Sequence, residues 1–394
     1  MEVAVRAHRR FPIDDASQVG EARRAALALA GDLAFDEESA GRLALAVTEL
    51  GTNLFRHVGP GRHAALLIGV EEWTDRGGPA TANAPSGPGL GLQVLSLDRG
   101  DGMDLSRCLQ DGFSTGGTAG TGLGAIRRSA DRFGGFSAPQ RGTVLAARFR
   151  PRTDRSRLGA PGAFPPAGNA TVNAAPDLAF DVGGLSLAAP GETVSGDAWA
   201  LRRDQDPPHD RWSLAMADGL GHGVDAAEAA DKLMSLLARA DASHLASPAA
   251  FLERSHDLLR STRGAASAAL SLSPDGPLRF AGAGNISGRL ISGVSDRTLL
   301  SQHGTLGVQI RRLQDVVYDW PPHAVLVLHS DGIVSRWTLE DTPGLLQADP
   351  AVIAGWILRD HLRGKDDATV VVVRRRDRSH ERNADPGPAP IAGA

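Results

Sequence analysis

The sequence predicts an α+β protein of two domains. At 394 residues the chain exceeds what one hydrophobic core usually organises. Each half mixes a helical apolar period with short strand-like runs. Between them, Pro151 to Pro176 is rich in Pro, Ala, Gly and Arg and shows no helical or strand period. A segment that buries no apolar surface does not recover its ordering entropy, so residues 151–176 read as a flexible linker. The expected layout is therefore one domain over 1–150 and a second over 177–376. The stretch 377–394 has the linker's composition and reads as a disordered tail.

Composition narrows the function classes. Hydrophobic residues make up 42% and charged residues 22%, the balance of a globular protein. A formal net charge of -4 provides no basic field for nucleic acid or an acidic membrane surface. Cys108, the single cysteine, has no intramolecular partner, which fits a reducing compartment, and its ordinary role is that of a small half-buried hydrophobe. No basic segment followed by an apolar run opens the sequence, and no apolar stretch approaches the roughly 18–20 residues of a membrane span. A cytoplasmic protein is expected.

In the first half, Leu43, Val47, Leu50, Leu54 and Val58 recur at spacings of three and four, which predicts an amphipathic helix capped by Asp36. Glu49 and Asn53 lie four apart and share a face of it, an arrangement able to supply a general base and a magnesium ligand. Asp75 to Gly89 is Gly/Pro-rich and reads as a long hairpin loop between two strands. The run Leu90 to Leu97 reads as the second of these, delivering Asp98 at its end with Gly100 and Gly102 just beyond. A carboxylate placed so can accept from an adenine amino group, and bare backbone beside it admits the base. Gly120, Gly122 and Gly124 precede a helical stretch from Ala125 to Phe133, where exposed backbone N–H groups suit phosphate.

In this order the three motifs resemble the N, G1 and G2 boxes of the GHKL ATP-binding fold. The stretch from Asp98 to Gly135 is similar to the RsbT-type serine kinases of bacterial partner-switching systems, which act on STAS-domain proteins. The resemblance implies Glu49 as general base and Asn53 as ligand of Mg-ATP magnesium. It implies Asp98 at adenine with Gly100 and Gly102 shaping the pocket, and Gly120, Gly122 and Gly124 at the phosphates. One departure is Asp101, which adds a negative charge where these kinases commonly carry another residue.

In the second half, Trp212 to Asp218 and His323 to Asp331 read as strands ending in Asp-Gly pairs. Asp366-Asp367 precedes the strand ATVVVVRR, and Asp197 sits in the turn-like GETVSGDAW. Carboxylates gathered without cations repel one another and lose hydration, whereas hard divalent cations relieve both costs. Oxygen-only ligation points to magnesium or manganese over zinc, and a pair of such ions suits displacement at phosphorus.

The segments SGDAW, MADGLGHG, FAGAGNISGRLI, GTLGV, LHSDGIV and KDDATVVVV resemble PPM-type phosphatases of the SpoIIE and RsbX branch. The resemblance implies two Mn2+ or Mg2+ ions, with Asp218 bridging them and Gly219 giving its carbonyl. Asp331 and Asp366 would complete one ion's site, and Asp197 would bind a metal or a coordinated water. His222 is a candidate proton donor to the leaving serine or a structural hydrogen bonder. Gly282, Gly284 and Asn285 read as a shaping turn, Asp367 as a neighbour of the site, and the arginines around 201–211 and 311–312 as solvated surface.

Together the resemblances imply a GHKL α/β sandwich with helices on one face of a mostly antiparallel sheet. It is followed by an α/β-β/α sandwich with two central antiparallel sheets. The implied function is a partner-switching regulator that dephosphorylates phosphoserine or phosphothreonine on STAS proteins and phosphorylates a STAS partner with Mg-ATP. The alternative is a first domain that only binds a partner or senses ATP. No nucleic acid or membrane partner is expected, and a homodimer is left open.

Overall fold

The computed structural model describes residues 3–5, 7–58, 61–73, 89–109, 122–151, 179–204 and 211–376. The expected linker from Arg152, the loop within Asp75–Gly89, Gly120 and the tail 377–394 lie outside the described residues. Among the described residues no helix is long and apolar enough to cross a membrane.

The first unit runs β1 (Val3–Val5), β2 (Arg9–Pro12), α1 (Ala16–Asp32), α2 (Glu37–His57), β3 (Ala65–Trp73), β4 (Gly89–Leu97), α3 (Leu105–Cys108), α4 (Gly122–Ser129), β5 (Arg132–Ala138) and β6 (Gly142–Phe149). Asp36 caps α2 as its sequence predicts, its carboxylate accepting from the Ser39 N–H at 2.9 Å. Strands β3 and β4 pair antiparallel from Ala65↔Leu97 to Trp73↔Gly89, so they form the expected hairpin. The sheet continues to β6 and β5, with α1, α2 and α4 buried against one face. Cys108 is half-buried beside that core. The last helix differs from expectation: it ends at Ser129, and Phe133 lies in β5. Pairing of Arg132 with Arg148 pulls the chain into the sheet before the helical pattern runs out.

The second unit runs β7 (Phe180–Leu187), β8 (Asp197–Asp204), β9 (Arg211–Gly219), α5 (Val224–Arg239), α6 (Ala242–Leu245), α7 (Pro248–Leu259), β10 (Ala265–Leu272), β11 (Leu278–Ala283), β12 (Ser287–Ile291), β13 (Asp296–Leu299), β14 (Gly304–Thr305), β15 (Gln309–Ile310), β16 (Val316–Tyr318), β17 (Val325–His329), α8 (Pro350–His361) and β18 (Ala368–Arg375). Its two antiparallel sheets, in the orders β16-β11-β10-β9-β8 and β13-β12-β17-β18-β7, enclose one core around Trp199, Trp212 and Phe280. Helices α5 and α7 cover the outside of the first sheet. Arg202 is not solvated surface: it donates to the carbonyls of Leu237 and Ala240, closing the end of α5.

The two units are joined far more closely than a chain of independent domains. Strand β1 pairs with β3 on one side and β8 on the other, merging both sheets into one of eleven strands. Helix α8 is buried along its whole run from Pro350 to Leu358 and lies between the second sheet and the open face of the first. Leu67, Leu95, Leu97, Val144 and Ala146 line that open face, and a helix apolar on all sides satisfies both surfaces at once. Polar ties cross the same seam. Arg132 donates to Asp349 at 2.5 Å and to Asp181 at 3.3 Å. The His8 N–H donates to the Ser186 carbonyl across the seam at 2.7 Å, while its ring meets Gln93 of its own unit at 2.9 Å; burial pushes the imidazole down to about 4, so it sits there neutral.

Candidate functional site

The carboxylates of the second unit converge at one end of its sandwich. Pairing of β8 with β9 places Asp197 directly opposite Asp218. Asp197 therefore opens a strand, where the sequence suggested a turn. Asp331 follows β17, and Asp366 and Asp367 precede β18, which pairs with β17. Two glycines allow this crowding: a Cβ at Gly219 would meet the Ala226 carbonyl oxygen at 2.1 Å, and one at Gly332 the Asp367 oxygen at 2.0 Å. Neighbours hold individual carboxylates. Ser330 Oγ donates to Asp197 Oδ2 at 2.7 Å, and Asn285 Nδ2 donates to Asp331 Oδ2 at 2.7 Å. Asp367 is buried and accepts from the Ala189 and Gly196 N–H groups at 2.8 and 2.9 Å, which locks the loop ahead of Asp197.

The electrostatics are those of carboxylates lacking counter-charge. Burial, with Asp197, Asp331, Asp366 and Asp367 nearby, pushes the Asp218 carboxyl up to about 9. Burial pushes Asp197 up to about 7 despite the hydrogen bonds of Ser330 and Thr369, and it also raises Asp367. Asp197 Oδ1 is buried without any hydrogen-bond partner. A buried, unpartnered carboxylate oxygen among acids is what a divalent cation would satisfy, so these residues fit the implied metals. Among the described residues, no three such side chains are yet closed around a common centre. Asp366 is exposed, and its Oδ1 accepts from the Asp367 N–H.

Two features of the rim escaped the sequence. His222 Nδ1 stands 2.7 Å from Glu192 Oε1, a carboxylate 30 residues earlier. Arg263 lies over the Leu220–Gly223 loop, its Nη1 3.3 Å from where a Cβ at Gly221 would sit, and it pairs with Asp225. An arginine fixed by a turn between α7 and β10 has no spacing that marks it in sequence.

The first unit brings its motifs together in part. Glu49 and Asn53 are half-buried on α2, and Glu49 Oε2 lies 3.3 Å from where a Cβ at Gly122 would stand. Gly124 is buried one turn into α4. Asp98 is buried at the end of β4, and its Oδ1 accepts from the Gly100 and Thr143 N–H groups at 2.7 and 3.3 Å. Burial raises its carboxyl. Gly102 has φ +80°, and a Cβ there would strike the Ala138 carbonyl oxygen at 2.5 Å, so the backbone itself requires this glycine. The extra charge of Asp101 is countered by Arg62 at 2.5 Å.

Fold and site together define a GHKL-like ATPase domain followed by a PP2C-like phosphatase fold. Residues 11–149 match the histidine kinase-like ATPase domain family, and residues 208–376 match the stage II sporulation protein E (SpoIIE) family. The first unit is 32% identical over 127 residues to serine/threonine-protein kinase RsbT of Bacillus subtilis, covering 32% of this chain and 84% of RsbT. The chain thus belongs, through its first domain, to the RsbT family, with a SpoIIE-type domain on the same polypeptide. Similar solved structures include RsbX in complex with magnesium (19% identity, TM-score 0.41, covering 50% of this chain and 96% of that one). Another is the PP2C phosphatase domain of SpoIIE from Bacillus subtilis with a fragment of its regulatory domain (18% identity, TM-score 0.39, covering 59% and 67%).

Proposed function

We propose that the second domain is a metal-dependent phosphatase for phosphoserine or phosphothreonine on STAS-domain switch proteins. The observation that carries this reading is the gathering of Asp197, Asp331, Asp366 and Asp367 near the buried Asp218 carboxyl, with Asp197 Oδ1 buried and unpartnered. Asp197, Asp218, Asp331 and Asp366, with the Gly219 carbonyl, would hold two Mn2+ or Mg2+ ions. When bound, the ions supply positive charge to the phosphoryl oxygens and lower the pKa of water. Asn285 orients Asp331, and Ser330 orients Asp197. His222, turned by Glu192 through Nδ1, offers its other nitrogen as proton donor to the departing seryl oxygen. Arg263 supplies a guanidinium at the rim for the phosphate. Replacing His222 by Gln should lower kcat about 100-fold and leave manganese affinity unchanged. Calorimetric titration alongside steady-state rates checks this, and a loss of metal binding would return His222 to a structural role.

For the first domain, the reading is ATP binding with serine kinase activity on a STAS partner. Glu49 acts as base, Asn53 holds magnesium, Asp98 takes adenine, and Gly100, Gly102, Gly120, Gly122 and Gly124 frame the base and phosphates. Phosphorylation adds about -1.5 to -2 charges to an interface built for a hydroxyl, which is enough to switch partners. A second reading, a non-catalytic partner-binding or ATP-sensing module acting on the phosphatase, is favoured by the contact of α8 with the Asp98 loop. Glu49→Ala separates the two. Under the kinase reading, phosphate transfer from ATP to a STAS protein falls at least about 100-fold while nucleotide and partner stay bound. Under the second reading the wild type already transfers nothing.

A further inference from the structure

The last turn of α8 touches both candidate sites. Arg359 is almost fully buried, with 3% of its side chain exposed, and stacks 3.7 Å above the Trp356 ring. Its Nη1 donates to the carbonyl oxygen of Asp98 at 2.6 Å, and its other nitrogens grip Asp360. Arg99 answers from the opposite side: its Nη2 donates to the Arg359 carbonyl at 2.7 Å, and its Nε to Asp360 at 3.2 Å. The residue that would bind adenine is therefore held, through its own carbonyl and its neighbour's side chain, by the phosphatase domain.

The same turn continues directly into the metal loop. Leu362 forms a β-bridge with Ile333. The Val334 N–H donates to the His361 carbonyl at 2.9 Å, and the Arg363 N–H donates to Gly332 at 2.8 Å. Gly332 follows Asp331. Five consecutive residues, Arg359 to Arg363, thus form both a clamp on the Asp98 loop and a clamp on the Asp331 loop. Interlocked backbone and guanidinium contacts of this kind transmit position, because neither loop can shift without breaking a hydrogen bond to the shared turn.

We propose that the C-terminal turn of α8 is a relay through which nucleotide at the Asp98 loop and metal at the Asp331 loop favour each other's binding. The proposal rests on the reading of those loops as nucleotide and metal sites. Each ligand orders a loop that the shared turn also orders, so the second to arrive loses less conformational freedom. Such coupling is reciprocal, and its usual size is about 5- to 150-fold in affinity.

The test uses the full chain and reads nucleotide affinity, so it needs no turnover. A fluorescent ADP analogue is titrated in the same manganese buffer into wild type and into Asp218→Asn, which cannot load the bridging metal site. The wild type should bind at least about 5-fold more tightly. Arg99→Ala, which alters a side chain 41% exposed and spares the buried Arg359, should erase that difference when built into both backgrounds. In parallel, the analogue should slow hydrogen exchange at the Val334 and Arg363 amides in wild type and not in Arg99→Ala. Equal nucleotide affinity in wild type and Asp218→Asn would overturn the relay and leave the two sites standing. A difference that survives in both Arg99→Ala and Arg359→Ala would overturn this route. Absence of nucleotide binding in any variant would remove the reading of the first domain, and the relay with it.

Discussion

Replacing Asp331 by alanine is expected to abolish manganese-dependent phosphate release from a phosphoserine STAS protein, with a loss of about a thousandfold or more. Asp331 is the one carboxylate here that Asn285 orients. Removing it leaves the Asn285 carboxamide without its acceptor and the proposed metal site without one of its carboxylates. A metal site deprived of one charged ligand loses both affinity and the charge balance that lets it act on a phosphoryl group. Release is followed with and without manganese, on the phosphoprotein and on a generic phosphoester. Retention of most of the activity in Asp331→Ala would place the chemistry elsewhere. No release by wild type on either substrate would make the second domain a binding module.

The second large effect is on stability, and its sign is opposite. Asp218→Asn should melt above wild type in chelator at pH 7–8. The folded-state pKa of Asp218 is raised to about 9. An acid raised in this way favours the folded state in its protonated form, so its contribution is intact below the unfolded value near 4 and is lost progressively as pH rises toward 9. Asp197, raised to about 7, erodes stability in the same direction over the lower part of that window. The stability gap between Asp218→Asn and metal-free wild type is therefore expected to be wider at pH 8 than at pH 5, a comparison in which the buried His8 and His329 cancel. The asparagine removes the Asp218 share, about 2–4 kcal/mol at neutral pH, or roughly 2–5 °C in melting temperature for a unit of this size. Manganese should raise the melting temperature of wild type at pH 8 and leave Asp218→Asn nearly unmoved. A gap that stays the same from pH 5 to pH 8 would show that water reaches Asp218 freely.

The parts legible in the sequence were those written in local periodicity. Asp36, the apolar stripe of α2, and the Asp-Gly pairs after two apolar runs each mark an element by residues close in the chain. The same locality explains the misses. Glu192 and His222 come together only because the loops before β8 and after β9 share one end of a sheet. The sequence AVIAGWIL in α8 is apolar on every side, which announces that the helix is covered twice but does not say by what. The cover is supplied by Leu95, Leu97 and Val144, some 200 residues away, on a strand β4 that is buried on both faces from Gly91 to Leu97. Phe133 fell on the wrong side of a boundary because sheet pairing outweighed helical propensity there.

Two domains on one chain, packed through a shared core around α8, also have a fixed stoichiometry. Two opposing catalysts made as separate proteins drift apart in amount whenever their synthesis or degradation changes, and the phosphorylated fraction of their substrate drifts with them. Here neither half can be made, degraded or diluted without the other. Under the proposed kinase and phosphatase readings, a substrate presented to both sites meets a ratio of forward to reverse rates that is independent of copy number. A cell holding ten molecules and a cell holding a thousand would approach the same set point at different speeds. Expression level would then tune response time alone, and the set point would belong to the signals that act on this single folded unit.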